Sequence, residues 1–290
     1  MGKFLLQIIK AFSYLPKSFF KGLSSFLAFF LNHILHYRSA VIVRNLRKSF
    51  PEKSKSEIGK IKKDFYLNLA DVFTEVIYTQ SYTRSQVMKK FRVFNDMVIE
   101  NLTDQHKDIV LVTSHSCNWE IGLSALPLFL KSNAYAIYKP LKNKTSEYII
   151  NKIRGRFGLL LIPKKESPKF ILKNKGKKNI WIFIADQTPY PENAIWTNFL
   201  NQPTPVFRGA ELMAKKLNCP VVFLYNRRIK RGKYELGFEI ITEKPNDFNE
   251  TEITKLHVKQ LEGEIKKAPA SWLWSHKRWK HKLPEHVNVN

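Results

Sequence analysis

Cysteine is nearly absent. Cys117 and Cys219 are the two in 290 residues, and neither stands at metal or redox spacing from a partner, so a disulfide scaffold and a zinc module both lack a basis. The chain reads as one that faces a reducing compartment. Acidic residues are also scarce: 24 Asp+Glu against 49 Lys+Arg give a formal net charge of +25. That surplus spreads a positive field over much of the surface and points to polyanionic partners: nucleic acid, anionic lipid or an acidic protein. No clean apolar run reaches the roughly 20 residues of a spanning helix. Gln7 and Lys10 interrupt the N-terminal apolar residues before any small-residue cleavage site, and Leu6 stands where a myristoylation signal has Ser or Thr, so no secretory leader or myristoyl anchor is expected.

What the N-terminus does hold is Phe19–Tyr37, FFKGLSSFLAFFLNHILHY, apolar and aromatic but broken by Lys21, Asn32 and His33. A buried core helix, an interfacial helix and a single span all fit that composition. Lys3, Lys10, Lys17, Arg38, Arg44 and Arg47 flank it and favour contact with an anionic cytoplasmic leaflet. The segment is accordingly expected to be a monotopic anchor, within an N-terminal membrane-associated helical region over residues 1–48 that precedes an α/β domain over 49–290.

Past Ser49-Phe-Pro51, apolar residues at Ile58, Ile61, Phe65, Leu69, Val72, Phe73 and Val76 recur at spacings of three and four, which predicts a long amphipathic helix. Strand-like runs follow at Asp108–Thr113, Tyr135–Tyr138, Leu159–Ile162, Ile180–Ala185 and Cys219–Leu224. Helix-like stretches at Glu120–Leu130, Thr145–Phe157, Pro168–Lys175 and Gly209–Leu217 fall between them, and Tyr234–Ile241 and Thr251–Lys267 add a strand and a helix. Alternation of this kind predicts an α/β sheet with crossover helices.

His115-Ser-Cys-Asn-Trp-Glu120 lies in the first strand-to-helix turn, where open α/β sheets carry reactive groups. On a continuous helix the five-residue spacing would set the His115 and Glu120 side chains roughly 140° apart, so a bend is needed for them to meet. A carboxylate on one imidazole nitrogen would leave the other free to accept a proton, a general-base dyad. An incidental capping and surface pair is the competing reading. Metal binding has less support, because no second His lies one helical turn away.

These residues resemble the Hxxxx(D/E) motif, often HxGNWE, of the bacterial late acyltransferases of lipid A biosynthesis, within the lysophospholipid acyltransferase superfamily. The resemblance extends to Val43-Arg-Asn-Leu-Arg-Lys-Ser-Phe-Pro51, Arg154-Gly-Arg-Phe-Gly158, Ala185-Asp-Gln187, Phe207-Arg-Gly-Ala210, Asn218-Cys-Pro-Val-Val222 and Pro269-Ala-Ser-Trp-Leu-Trp-Ser-His-Lys-Arg-Trp-Lys280, in the family's order over nearly the whole chain. Cys117 departs from the family's usual glycine, and Asn198-Phe-Leu-Asn201 from its "FFG".

The resemblance implies a glycerol-3-phosphate-acyltransferase-like mixed sheet flanked by helices, with an N-terminal hydrophobic membrane-anchoring helix. It implies transfer of a fatty acyl chain from an acyl carrier protein thioester to a hydroxyl of a phosphorylated lipid A precursor, at the cytoplasmic face of the bacterial inner membrane. His115 would be the base and Glu120 its orienting partner, with no metal, cofactor or covalent intermediate. Asn118, Arg154, Arg156, Asp186, Gln187 and Arg208 would bind substrate or shape the site, the arginines through phosphate. A helix cap is the other reading of Asn118. Trp272, Trp274 and Trp279, interleaved with Lys277, Arg278, Lys280 and Lys282, suit an interface with anionic lipid. The same chemistry on a glycerolipid, glycolipid or aminolipid, or with acyl-CoA as donor, is the alternative. A nucleic-acid binder is disfavoured, since no helix-turn-helix, RRM, KH or zinc-finger pattern occurs, and intact His115 and Glu120 argue against a non-catalytic scaffold.

Overall fold

The computed structural model describes residues 1–105, 108–285, 287 and 289. Four helices come first: α1 (Gly2–Phe12), α2 (Lys17–Phe29, continued by a π turn to Ile34), α3 (Ser39–Ser49) and α4 (Lys55–Tyr78). Next are α5 (Arg84–Met88), β1 (Phe91–Phe94), α6 (Asp96–Gln105) and β2 (Asp108–Thr113). The crossover region runs α7 (Trp119–Ala125), β3 (Ala134–Tyr138), α8 (Lys144–Arg154), β4 (Leu160–Pro163), α9 (Ser167–Lys173) and β5 (Asn179–Ile184). A hairpin of β6 (Ala194–Phe199) and β7 (Gln202–Phe207) leads through α10 (Gly209–Leu217) to β8 (Val221–Lys230), β9 (Lys233–Thr242) and α11 (Glu252–Lys267).

The main sheet has seven strands in the order β1-β9-β8-β2-β5-β3-β4. Only the β8–β9 pair is antiparallel. β2 is buried along its length because both faces are covered. Ile109 and Leu111 pack with Ile99, Leu123 and Leu126 on one side, while Val110 and Val112 pack with Ile171, Ala210 and Ala214 on the other. That is why the strand reads as an unbroken apolar run rather than an alternating one. α4 opens with a capping box in which Ser54 and Glu57 satisfy each other's backbone N–H. Its inner face, with Phe65, Tyr66 and Leu69, joins Ile42 and Leu46 of α3 and Trp272 and Trp274 in a further apolar cluster.

This is the mixed α/β sheet flanked by helices that the sequence predicts, with strand and helix ends displaced by a few residues. β1, α6 and the β6–β7 hairpin are additions. The Asn198-Phe-Leu-Asn201 departure falls at the hairpin, whose turn residues Leu200 and Asn201 have φ of 50° and 61°. Two successive positive φ values give the strand-matching twist of a type I′ turn.

The N-terminal anchor is a different matter. Among the described residues no single helix is long and apolar enough to cross a membrane; Lys17–Ile34 and Ser39–Ser49 reach that length and composition only as a pair, bent by 89°. Phe20, Ser24 and Ala28 of α2 are buried, whereas Phe26, Phe29, Ile34 and Leu35 are exposed. α3 buries Ile42, Asn45, Leu46 and Ser49, so residues on both sides of position 48 share one core.

Asp71 of α4 ties this region together. It accepts hydrogen bonds from Ser24 Oγ at 2.5 Å, from Arg231 Nε at 2.9 Å and from Arg228. Replacing it by alanine would strand two guanidinium groups, so Asp71→Ala should destabilise the fold by about 3 kcal/mol in chemical denaturation. A loss below about 1 kcal/mol would mean that water compensates both arginines.

Candidate active site

β2 and β5 run parallel with Thr113 level with Ile184, and the Ala185 N–H donates to the Thr113 carbonyl at 3.1 Å. The residues two past each level position, His115 and Asp186, are therefore brought side by side at the C-terminal edge of the sheet. The His115 N–H donates to Asp186 Oδ2 at 3.0 Å, and Nδ1 lies 2.7 Å from Oδ1. Trp272 Nε1 donates to Oδ2 at 2.9 Å. The carboxylate is buried and accepts from three donors.

Electrostatics follow from that geometry. Burial would raise the Asp186 pKa, but His115 and the hydrogen bonds overcome it and hold the carboxyl down at about 2. Burial would lower His115, yet Asp186 raises it above the ordinary imidazole value, with a smaller contribution from Glu120. With Nδ1 committed to the carboxylate, Nε2 is the nitrogen left to exchange a proton. It faces the Gln187 amide nitrogen at 3.3 Å, and the Trp119 ring stands edge-on to the imidazole.

Glu120 was expected as the carboxylate on His115; the structure puts Asp186 there instead. Asn118 caps α7 by accepting from the Ile121 N–H at 3.3 Å, which fixes Glu120 in the first helical turn. There Arg154, at the end of α8, takes both its oxygens at 2.9 and 2.6 Å, and Trp119 Nε1 adds a third contact. Burial opposes ionisation of Glu120, but Arg154 more than offsets it and the pKa falls.

The remaining expected residues divide. Asn118 also donates to Glu75 at 3.2 Å, and Glu75 is paired with buried Lys90 at 3.3 Å, so a buried ion pair stands directly behind the turn. Arg156 donates to the carbonyls of Thr79 and Tyr82, and Arg208 pairs with Glu250 at 3.1 Å. The structure thus gives Arg154 and Arg156 partners within the fold, whereas Arg208 has only the exposed Glu250 and its Nε has no hydrogen-bond partner among the described residues. Trp272 and Trp274, expected at a lipid surface, are buried, and Trp279 donates to Thr204 Oγ1 at 2.7 Å. Their segment is stitched to the His115 turn by a Ser116–Trp272 bridge and by the Cys117 N–H donating to Ser271 O at 2.7 Å. Cys117 sits at φ 52°. That left-handed conformation is one glycine adopts without steric cost.

Trp272, Trp119 and Glu75 are the site residues that sequence reasoning missed. A tryptophan in an aromatic and basic cluster carries no sign of whether it faces lipid or a carboxylate 86 positions away.

If Asp186 raises the His115 pKa, then Asp186→Asn should move the imidazole titration to lower pH. Wild-type His115 should hold its proton until the pH rises above the ordinary range, whereas the variant should lose it earlier, read from the ring C–H resonances. An unmoved titration would assign the shift to Glu120.

A family model described as "Bacterial lipid A biosynthesis acyltransferase" matches residues 2–281. A lipid A biosynthesis acyltransferase of Haemophilus influenzae is 25% identical over 255 residues, covering 86% of this chain and 79% of the relative. A lipid A biosynthesis palmitoleoyltransferase of Escherichia coli is 21% identical over 249 residues, covering 85% and 80%. A lipid A biosynthesis acyltransferase of Shigella flexneri matches to the same extent. With that family model matching nearly its whole length, the chain belongs to the bacterial lipid A biosynthesis acyltransferase family.

Proposed function

We propose that this acyltransferase moves a fatty acyl chain from the thioester of an acyl carrier protein to a hydroxyl of a lipid A precursor, with His115 as general base and Asp186 as its orienting partner. The observation that carries the reading is the buried Asp186 carboxylate 2.7 Å from His115 Nδ1, on an imidazole whose side chain keeps 17% of its surface open. Nε2 takes the proton of the acceptor hydroxyl as its oxygen attacks the thioester carbonyl. The tetrahedral intermediate then expels the thiolate, which recovers the proton from the imidazolium. Glu120, held ionised by Arg154, adds negative potential that stabilises the imidazolium.

A thioester is already activated, so no enzyme nucleophile is needed. The thiol closest in sequence supports this: Cys117 is fully buried, and burial pushes its pKa up to about 11, so little thiolate exists at neutral pH. For the donor, the +25 charge favours an acidic carrier. Lys139, Lys142 and Lys144 follow β3 and Lys164 and Lys165 follow β4, on the same edge of the parallel strands as His115.

For the membrane, the exposed apolar residues of α1 and α2 support an interfacial rather than a spanning attachment, because α3 is committed to the core. On this reading, replacing Phe26 and Phe29 by Asp should release the protein from the pellet without detergent, while wild type stays bound after a high-salt wash. Release of wild type by salt alone would leave only electrostatic attachment.

Mass spectrometry of lipid extracts tests the reaction. Cells lacking the gene should lose one acyl chain from lipid A; wild type should restore it and His115→Ala should not. Asp186→Asn and Glu120→Gln should each cut purified turnover, the first by ~10²–10⁴. Acyl loss from a different lipid would move the acceptor assignment, and near-normal turnover by His115→Ala would refute the mechanism.

A further inference from the structure

Two cations are buried among the described residues, Lys90 and Arg278. Lys90 has Glu75 at 3.3 Å and donates to Tyr78 and Gly232. Arg278 has no ion pair, and its Nε and Nη1 have no hydrogen-bond partner among the described residues. Its guanidinium lies 5.9 Å from the centroid of the Phe199 ring. A guanidinium enclosed in this way remains cationic, since burial lowers its pKa only to about 10. A buried, protonated, unpaired arginine is a strongly disfavoured arrangement unless an anion completes it.

That anion is not supplied by the described residues. Asp186 is the acidic group that acts on Arg278, and its carboxylate is already taken by the His115 N–H, the His115 ring and Trp272. The histidine nearest in sequence, His276, is bonded through Nε2 to the Thr188 N–H and hydroxyl, and burial holds its pKa down at about 4. It is neutral at physiological pH and neither competes for an anion nor supplies one.

The place is also built. Thr188, two residues past Asp186, donates its hydroxyl to the Arg278 carbonyl at 2.7 Å. Arg38 and Asn45 donate to the carbonyls of Ser275, Trp274 and His276. Arg278 is thus fixed to the loop that carries Asp186 and Gln187, beside the proposed reaction centre.

We infer that Arg278 is a phosphate-binding residue of the active site, its unpartnered guanidinium nitrogens completed by a phosphate group of a substrate. Assigning that phosphate to a substrate rests on the acyltransferase reading above. Arginine rather than lysine suits the position, because the planar guanidinium stays charged when dehydrated and presents several donors to phosphate oxygens. Of the three arginines expected to meet phosphate, Arg154 and Arg156 are engaged within the fold, and Arg208 pairs through Nη2 with exposed Glu250 and is not buried as Arg278 is.

The experiment has a binding arm and a kinetic arm. Phosphate is titrated into wild type, Arg278→Gln and Arg278→Lys at constant ionic strength, with tryptophan fluorescence and melting temperature as readouts; Trp272, Trp274 and Trp279 flank the residue in sequence. Wild type should show a saturable change that Arg278→Gln lacks and Arg278→Lys recovers in part. No saturable response in wild type, or an equal one in Arg278→Gln, overturns the inference. The wild-type result stands even if a variant fails to fold.

In steady-state assays Arg278→Gln should raise KM about tenfold for whichever substrate contributes the phosphate, with kcat changed less than threefold. A rise for a phosphorylated acceptor that vanishes with the dephosphorylated acceptor assigns the group to the lipid. A rise for the thioester donor assigns it to the phosphate of the carrier's prosthetic arm. Unchanged KM for both substrates overturns the inference. Saturable binding lost in Arg278→Gln, in a protein that transfers no acyl chain, would keep the anion site and refute the reaction instead.

Discussion

The pairing of β2 with β5 is the constraint on which the site depends. Because Thr113 and Ile184 are level, His115 and Asp186 emerge together, and the sheet brings residues 71 positions apart into a 2.7 Å contact. A buried carboxylate is tolerable only if donors surround it, and three N–H groups do so here. One belongs to Trp272, so the end of the chain completes a site begun near position 115. The bridge from Ser116 to Trp272 and the bond from Cys117 to Ser271 hold that end in place. Removing the C-terminal segment would therefore act on His115 itself as well as on the core formed by Trp272 and Trp274.

Charge is sorted by the same logic. Four of the acids sit on cations that are buried or partly buried: Glu264 on Arg227, Asp71 on Arg228 and Arg231, Glu120 on Arg154, Glu75 on Lys90. Each of those pairs is shielded from salt far better than an exposed one. Many lysines, by contrast, are exposed at the surface. Part of that positive surface, Lys139, Lys142, Lys144, Lys164 and Lys165, lies at the edge where the strands carry the site.

What the sequence disclosed follows from the range over which each feature is decided. β2 and α10 were readable to the residue, since a buried β-branched run and a glycine-led helix are set locally. The turn carrying His115 was legible for the same reason. Its carboxylate partner was not, because choosing between Glu120 and Asp186 requires the strand register and the position of Arg154, both products of tertiary packing. The hairpin was hidden by Pro203 and Pro205, which argue against a strand, and by a Leu200-Asn201 turn without glycine. Arg154, Arg156 and Arg208 looked free because their partners lie 34 to 77 residues away.

The N-terminal helices connect to the same centre. Gly2 of α1 lies against the Tyr148 ring of α8, and α8 ends in Arg154, which grips Glu120 beside His115. At the other end of α1, the Ser13 carbonyl accepts from Ser81, next to the carbonyls of Thr79 and Tyr82 that Arg156 holds. On the reading that α1 lies in the membrane interface, a helix at the lipid surface is one helix removed from the reacting histidine. A lipid acceptor could then present its hydroxyl to His115 while its chains stay in the bilayer, and the water-soluble donor would approach from the lysine-rich strand edge. On that reading two substrates of different solubility would reach one imidazole by separate routes.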